Sequence, residues 1–252
     1  MKNKKLKAIL SISGYFLLVV AICFSAALIF HARYYELIYV SGLSMSPTLH
    51  GGDNDDSSVA TAGTVVDFGI LDTHDSAKKN IKRFSIVSTY YPDSRDYDLS
   101  TNELKYDARQ KIKRVIALPG ETFKVEEGRL YVLENDEYKY IPYTFSTNPS
   151  VETNFTEKDS SPRTLADDEY WVLGDNRAKS RDCVTIDMPI KKDNLIGVLV
   201  AIEGRAELKT KYYYCKNCGK KYDKSGGCEK CHISLSIEYD LIHKRYHWPT
   251  YF

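Results

Sequence analysis

From Ala8 to Phe30 the chain is apolar and carries no charge. Its length matches the roughly 20 residues that a helix needs to cross the hydrocarbon core of a bilayer. Lys2, Lys4, Lys5 and Lys7 precede it, and only His31 and Arg33 follow before Glu36. An excess of lysine and arginine marks the cytoplasmic flank of a membrane segment. The expectation is a single-pass anchor in the cytoplasmic membrane, with the N-terminus inside and everything after Phe30 outside. A cleaved signal peptide is the competing reading. Such a peptide has a shorter apolar region of about 7–15 residues and then a small-x-small cleavage site. Here the run is longer and leads into His31-Ala32-Arg33-Tyr34-Tyr35. No later stretch is long and apolar enough to span.

The chain of 252 residues leaves room behind such an anchor for one good-sized domain, or a domain plus a small module. A net charge of +1 argues against nucleic acid as a partner. Tyrosine, at 20 residues, is abundant and favours strands and half-wet surfaces. Strands are expected over Tyr34–Val40, Thr64–Ile70, Lys82–Tyr91, Ile112–Leu118, Tyr170–Leu173 and Leu195–Ile202. Thr122–Val125 and Gly128–Leu133 read as a hairpin around Glu126-Glu127-Gly128. Gly51–Thr61 reads as a polar surface loop, Asp93–Gln110 as a loop or short helix, and Thr144–Pro162 as an insertion. The fold class is mainly β. The expected organisation is a cytoplasmic N-terminus (1–7), an anchor (8–30), a main β-rich domain (31–210), a cysteine module (211–235) and a C-terminal tail (236–252).

Three stretches carry chemistry. Ser41–Leu49 reads S-G-L-S-M-S-P-T-L, Ile112–Glu121 reads I-K-R-V-I-A-L-P-G-E, and Gly174–Asp182 reads G-D-N-R-A-K-S-R-D. A serine hydroxyl is a weak nucleophile until a base removes its proton. None of the six histidines lies in a stretch suited to a Ser-His-Asp arrangement. A lysine can serve as that base if burial lowers its pKa, because burial disfavours the ammonium form. Ile112, Val115, Ile116 and Leu118 give Lys113 an apolar setting. By strand alternation Lys113 shares a face with Val115 and Ala117, and Arg114 with Ile116. One of these two charges then points to the core side and one away. Taken alone, this stretch is better read as two solvated strand charges, since lysine is rarely buried.

Together the three stretches resemble the signature boxes of bacterial type I signal peptidases, and K-R-F-S-I-V-S-T-Y-Y-P (Lys82–Pro92) resembles the strand box between the first two. The resemblance runs from the anchor to about Glu203. It implies a signal-peptidase-like β-rich catalytic domain behind one N-terminal transmembrane helix. It also implies a Ser/Lys dyad that cleaves signal peptides from exported preproteins on the outer membrane face. Carried over by position, Ser44 is the nucleophile and Lys113 the general base. The Ser44 backbone N–H serves the oxyanion hole. Gly42 stands where some members carry a hydroxyl donor. Ser180 is expected to hydrogen-bond and orient the lysine, Asp182 to be structural, and Arg114 with Asp175 to form a supporting ion pair. Two departures concern this support. Where many members read S-x-D-S-R, this chain reads Ser180-Arg181-Asp182-Cys183-Val184, so the arginine expected beside Asp182 is missing. Arg181 or Lys179 is a candidate substitute, and another partner for Asp182 is the alternative. Ala117 replaces a common glycine. Relatives of the endoplasmic-reticulum type carry histidine in place of the lysine, so Lys113 points to the bacterial type.

Cys215-x-x-Cys218 and Cys228-x-x-Cys231 form two pairs separated by nine residues. Tetrahedral zinc takes four thiolates, and each C-x-x-C turn delivers two to one point. One structural zinc is therefore expected at Cys215, Cys218, Cys228 and Cys231, with no cofactor for catalysis. Disulfides are the alternative, because the region is expected outside the cytoplasm.

The reading is a membrane-bound serine endopeptidase with a small C-terminal zinc-ribbon-like module. Its partners are the signal peptides of exported preproteins and membrane lipid, with no nucleic acid. Two alternatives stand beside it. One is a dedicated processing peptidase for one or a few secreted substrates. The other is a non-catalytic, membrane-anchored zinc-ribbon binding protein.

Overall fold

The computed structural model describes residues 2–52, 60–105, 108–127, 129–142 and 161–252. Contacts divide the chain into two units, 1–36 and 37–252. The first unit is helix α1 (Lys2–Tyr34) and the opening of strand β1 (Tyr35–Tyr39). Within α1, Ser13–Phe30 has a mean hydropathy of 2.3 and is long and apolar enough to cross a membrane. It is the one such helix among the described residues.

The second unit is β-rich. In chain order it holds β2 (Val65–Asp72), α2 (Asp75–Lys79), β3 (Ile86–Thr89), β4 (Tyr97–Asp98), β5 (Glu103–Leu104) and β6 (Lys111–Ala117). There follow β7 (Thr122–Glu126), β8 (Arg129–Glu134), β9 (Glu137–Ile141), β10 (Arg163–Thr164) and β11 (Glu169–Leu173). Last come α3 (Cys183–Ile186), β12 (Ile190–Lys191), β13 (Leu195–Tyr214), β14 (Lys221–Tyr222) and β15 (Ser236–Tyr251). The main sheet runs β1-β2-β13-β3-β6-β11-β12, with β14 and β15 also paired to β13. A second sheet runs β10-β7-β8-β9. The apolar faces of β7 and β8 meet β6 and β11 in one core, where Phe123 and Trp171 have ring centroids 5.4 Å apart.

Several expectations change. The strand expected from Lys82 shrinks to β3, because Ser85 N–H bonds Lys82 O and Phe84 has a positive φ of 71°. The turn lets Arg83 reach Ile116 O and the Glu121 carboxylate. In Asp93–Gln110 the described residues hold the β4/β5 ribbon, with Tyr97 opposite Leu104, where a loop or short helix was expected. Ser236–Tyr251, expected as a tail, is strand β15, paired to β13 from Ala201 to Tyr214. That pairing extends β13 well past the expected end at Ile202. Parts of three expected features lie outside the described residues: the Gly51–Thr61 loop, the hairpin turn at Gly128 and most of the Thr144–Pro162 insertion.

Candidate active site

The serine stretch is held by its apolar members. Met45 and Leu49 are fully buried in a cluster with Val40, Leu71, Ile86, Leu199 and Ile202. Leu49 N–H bonds Met45 O at 2.9 Å, so the stretch closes into one turn with both side chains in the core. Gly42 precedes it with φ 89°, a conformation that favours glycine. Gly42 N–H bonds Gly51 O at 2.9 Å, and any Cβ on Gly51 would lie 2.0 Å from Gly42 O. This turn leaves Ser44 half-buried.

Strand β6 supplies the lysine. β3 pairs with it so that Val87 faces Lys113 and Ile86 faces Arg114. Lys113 Nζ donates to Ser44 Oγ at 2.7 Å and to Ile112 O at 2.9 Å. Lys113 and Arg114 are each only 3% exposed, so neither is a solvated strand charge and neither points away from the protein. Cover on both sides of β6 is the reason: Val115, Ile116 and Ala117 lie in the core with β7 and β8, Ile112 packs on the cluster that holds Met45 and Leu49, and Ser44 meets Lys113 Nζ. Burial brings the Lys113 pKa from 10.5 down to about 8, opposed by the negative charge of Asp182 and aided by Lys111 and Arg177. Arg114 resolves its own burial by a two-point grip on Asp175, at 2.8 Å from Nε and 2.7 Å from the terminal nitrogen. A buried charge pair needs this kind of geometry to offset its desolvation.

The third stretch packs on the serine. Asn176 N–H donates to Ser44 O at 3.0 Å. Gly174 is required there, because a Cβ would fall 2.4 Å from Ser44 O and 2.2 Å from Ser180 Oγ. Gly174 N–H in turn donates to Asp182 at 3.0 Å. The missing partner of Asp182 is Arg177, which ion-pairs with the same carboxylate, the two side chains being 4% and 0% exposed. Arg181 is engaged elsewhere, with Asp93 at 2.5 Å, so it is not the substitute that holds Asp182. Ser180 also departs from expectation. Its Oγ is buried beside Gly174 and has no hydrogen-bond partner among the described residues, so it does not bond Lys113.

Sequence reasoning missed Thr48. Its hydroxyl donates to Asp175 Oδ2 at 2.5 Å and ties the serine turn to the Arg114–Asp175 pair. The signal was in the same S-G-L-S-M-S-P-T-L stretch, four residues past the serine. Cys183 is buried, bonded by Val172 N–H, and its thiol is held firmly protonated by burial.

The four paired cysteines converge as expected, with all four sulfurs within 4.8 Å of one another. All are free thiols. Each pair sits on a tight knuckle. Gly219 N–H bonds Cys215 O at 2.7 Å, and His232 N–H bonds Cys228 O at 2.8 Å. Gly219 and His232 both take positive φ, which fits the glycine and explains His232 as a turn residue. The knuckles lie between β13 and β15, with β14 paired to β13 at Tyr213 and Tyr214. Four sulfurs at one point suit a soft tetrahedral ion.

A mainly β domain behind an apolar helix, with a serine against a buried lysine, is the architecture of a membrane-linked serine peptidase. Residues 12–202 match the family model described as signal peptidase, peptidase S26, and the chain belongs to that family. It is 30% identical over 166 residues to signal peptidase I V of Bacillus subtilis, covering 64% of this chain and 80% of the relative. It is 26% identical over 200 residues to signal peptidase I U of the same organism, covering 78% and 87%. A solved signal peptidase I structure from Enterococcus faecalis V583 aligns at 23% identity and a TM-score of 0.32, over 48% of this chain and 97% of the other. The family's activity follows for this chain: a serine endopeptidase that removes N-terminal signal peptides from exported preproteins.

Proposed function

We propose that this endopeptidase works through a Ser44/Lys113 dyad. The observation that carries the reading is the 2.7 Å contact from Lys113 Nζ to Ser44 Oγ at a lysine only 3% exposed. Neutral Lys113 accepts the Ser44 proton as Oγ attacks the carbonyl carbon before the cut. The carbonyl oxygen becomes an oxyanion, which the Ser44 backbone N–H stabilises. Lys113 then gives its proton to the leaving amine, and an acyl group remains on Ser44. Water attacks that ester, with Lys113 again as base, and the signal peptide leaves as a carboxylate. Arg114 with Asp175, and Asp182 with Gly174, hold strand β6 and the serine turn that present the dyad. Gly42 serves backbone geometry and not hydroxyl donation. Ser180, packed against Gly174, supports the wall beside the serine turn, without a bond to the lysine in this state.

The substrate lies extended along a strand edge, held by main-chain hydrogen bonds. The anchor orientation follows the lysine excess before Ala8, with the N-terminus inside and the catalytic unit outside. Residues 31–210 serve as the catalytic domain. Residues 211–235 form a zinc-ribbon-like module in which Cys215, Cys218, Cys228 and Cys231 hold one structural zinc, which would supply folding energy to a segment with little core of its own. Residues 236–252 pair back on the catalytic sheet.

Cleavage of a purified preprotein by full-length protein in detergent tests the dyad. Ser44→Ala and Lys113→Ala should each abolish cleavage while the fold, read by circular dichroism, is retained. Near-normal cleavage by Lys113→Ala would rule the lysine out as base.

A further inference from the structure

We propose that Arg177 is a positioning residue of this site, which by closing its ion pair with Asp182 withholds a buried negative charge from Lys113 and keeps the lysine ready to act as base. The inference rests on the dyad reading above. Three observations carry it. Asp182 is fully buried, and its second oxygen, Oδ1, has no partner among the described residues, so its charge is compensated at Oδ2, by Arg177 and Gly174 N–H. Gly174, which bonds that carboxylate, is packed against Ser44 O, so Asp182 belongs to the wall of the site. Arg181, the nearer residue in sequence, is committed to Asp93, and its backbone carbonyl accepts the Tyr91 hydroxyl, so it does not take over the pairing.

The charges around Lys113 sort into three compensated pairs. On its own strand Lys111 pairs with Asp96, and Arg114 pairs with Asp175. From the loop after β11 comes Arg177 with Asp182. Facing it from the serine turn and from β3 are the uncharged Ser44 and Val87. Asp182 is the largest single influence that favours the ammonium form of Lys113, and Arg177 acts in the opposite sense. Loss of Arg177 therefore works twice in one direction. A cation that disfavours the ammonium is removed, and an anion that favours it is unmasked.

The test is the pH dependence of kcat/KM for preprotein cleavage by the full chain in detergent. In Arg177→Met the midpoint of the alkaline rise should move up by about one unit, with a tenfold loss of rate at pH 7 that is recovered at high pH. Arg177→Lys should restore the midpoint, and Arg177→Met combined with Asp182→Asn should return it close to wild type. A merely structural role lowers the rate at every pH and leaves the midpoint in place, and that result would overturn the inference. A wild-type profile with no alkaline rise would instead strike the dyad reading itself. If Arg177→Met fails to fold, the Arg177→Lys and Asp182→Asn variants decide: an Asp182→Asn midpoint that does not fall below wild type, or stays equal to it, overturns the inference.

Discussion

Replacing Lys113 by methionine should make this protein more stable at neutral pH while destroying its activity. The reasoning starts from the position of Nζ. Lys113 is 3% exposed, and burial draws its pKa from 10.5 to about 8. That shift corresponds to about 3 kcal/mol of cost for keeping the ammonium inside the folded protein. The sign follows from proton counting. Between the folded and unfolded pKa values the unfolded chain holds more protons than the folded one, so stability rises with pH through that window. Below about pH 8 the full cost is present, and above about 10.5 it is gone. Methionine has similar length and no charge, so it removes the cost. It also leaves Ile112 O and Ser44 Oγ without their lysine bonds, a loss of about 1 kcal/mol each. A net gain of about 1 kcal/mol is expected at pH 7, shrinking as pH rises from 8 towards 10.5. Denaturant unfolding of both proteins in the same mild detergent, over pH 6 to about 10, reads this difference. The same pKa should govern the rate. At pH 7 about 9% of the lysine is then neutral, against about 0.03% for an unperturbed lysine, and kcat/KM should climb about tenfold per unit below pH 8. A stability difference that stays flat across the range, or a Met variant less stable at pH 7, would refute the buried-ammonium argument.

Gly174→Ala should cut kcat at least tenfold, because its Cβ needs the space of Ser44 O, and kinetics at saturating substrate would show it. Thr48→Val breaks the 2.5 Å bond to Asp175 but leaves the Arg114 grip, so it should cost about 1–2 kcal/mol of stability without moving the pH midpoint, as unfolding and rate profiles can check. Metal analysis of purified protein should find about one zinc per chain with four thiols protected from titration. Cys215→Ser with Cys228→Ser should remove the metal and raise amide exchange in residues 211–235 while short-peptide cleavage survives. No metal and two disulfides would refute the zinc reading.

Much of this protein is legible from local sequence. The helix of α1 follows from an uncharged apolar run, which has no other way to satisfy its backbone in hydrocarbon. The strand at Lys113 follows from a run of β-branched residues stopped by Pro119-Gly120. The knuckles follow from C-x-x-C spacing, because the ligands of each pair are fixed by a single turn. The three signature stretches named the candidate residues for the same reason, since each is local. Only the tertiary structure decided who touches whom. Alternation along β6 assigned Lys113 and Arg114 to opposite sides, one of them away from the core, but both sides are covered and both charges are buried. Asp182 pairs with Arg177 and not with its neighbour Arg181, because Arg181 is drawn to Asp93, 88 positions away. Ser180 Oγ is left without a partner among the described residues, while Lys113 Nζ donates to Ser44 and Ile112. β15 looks like an aromatic tail until β13 offers it an edge. Strand pairing and burial depend on what lies far along the chain, and no window of sequence around a residue contains that information.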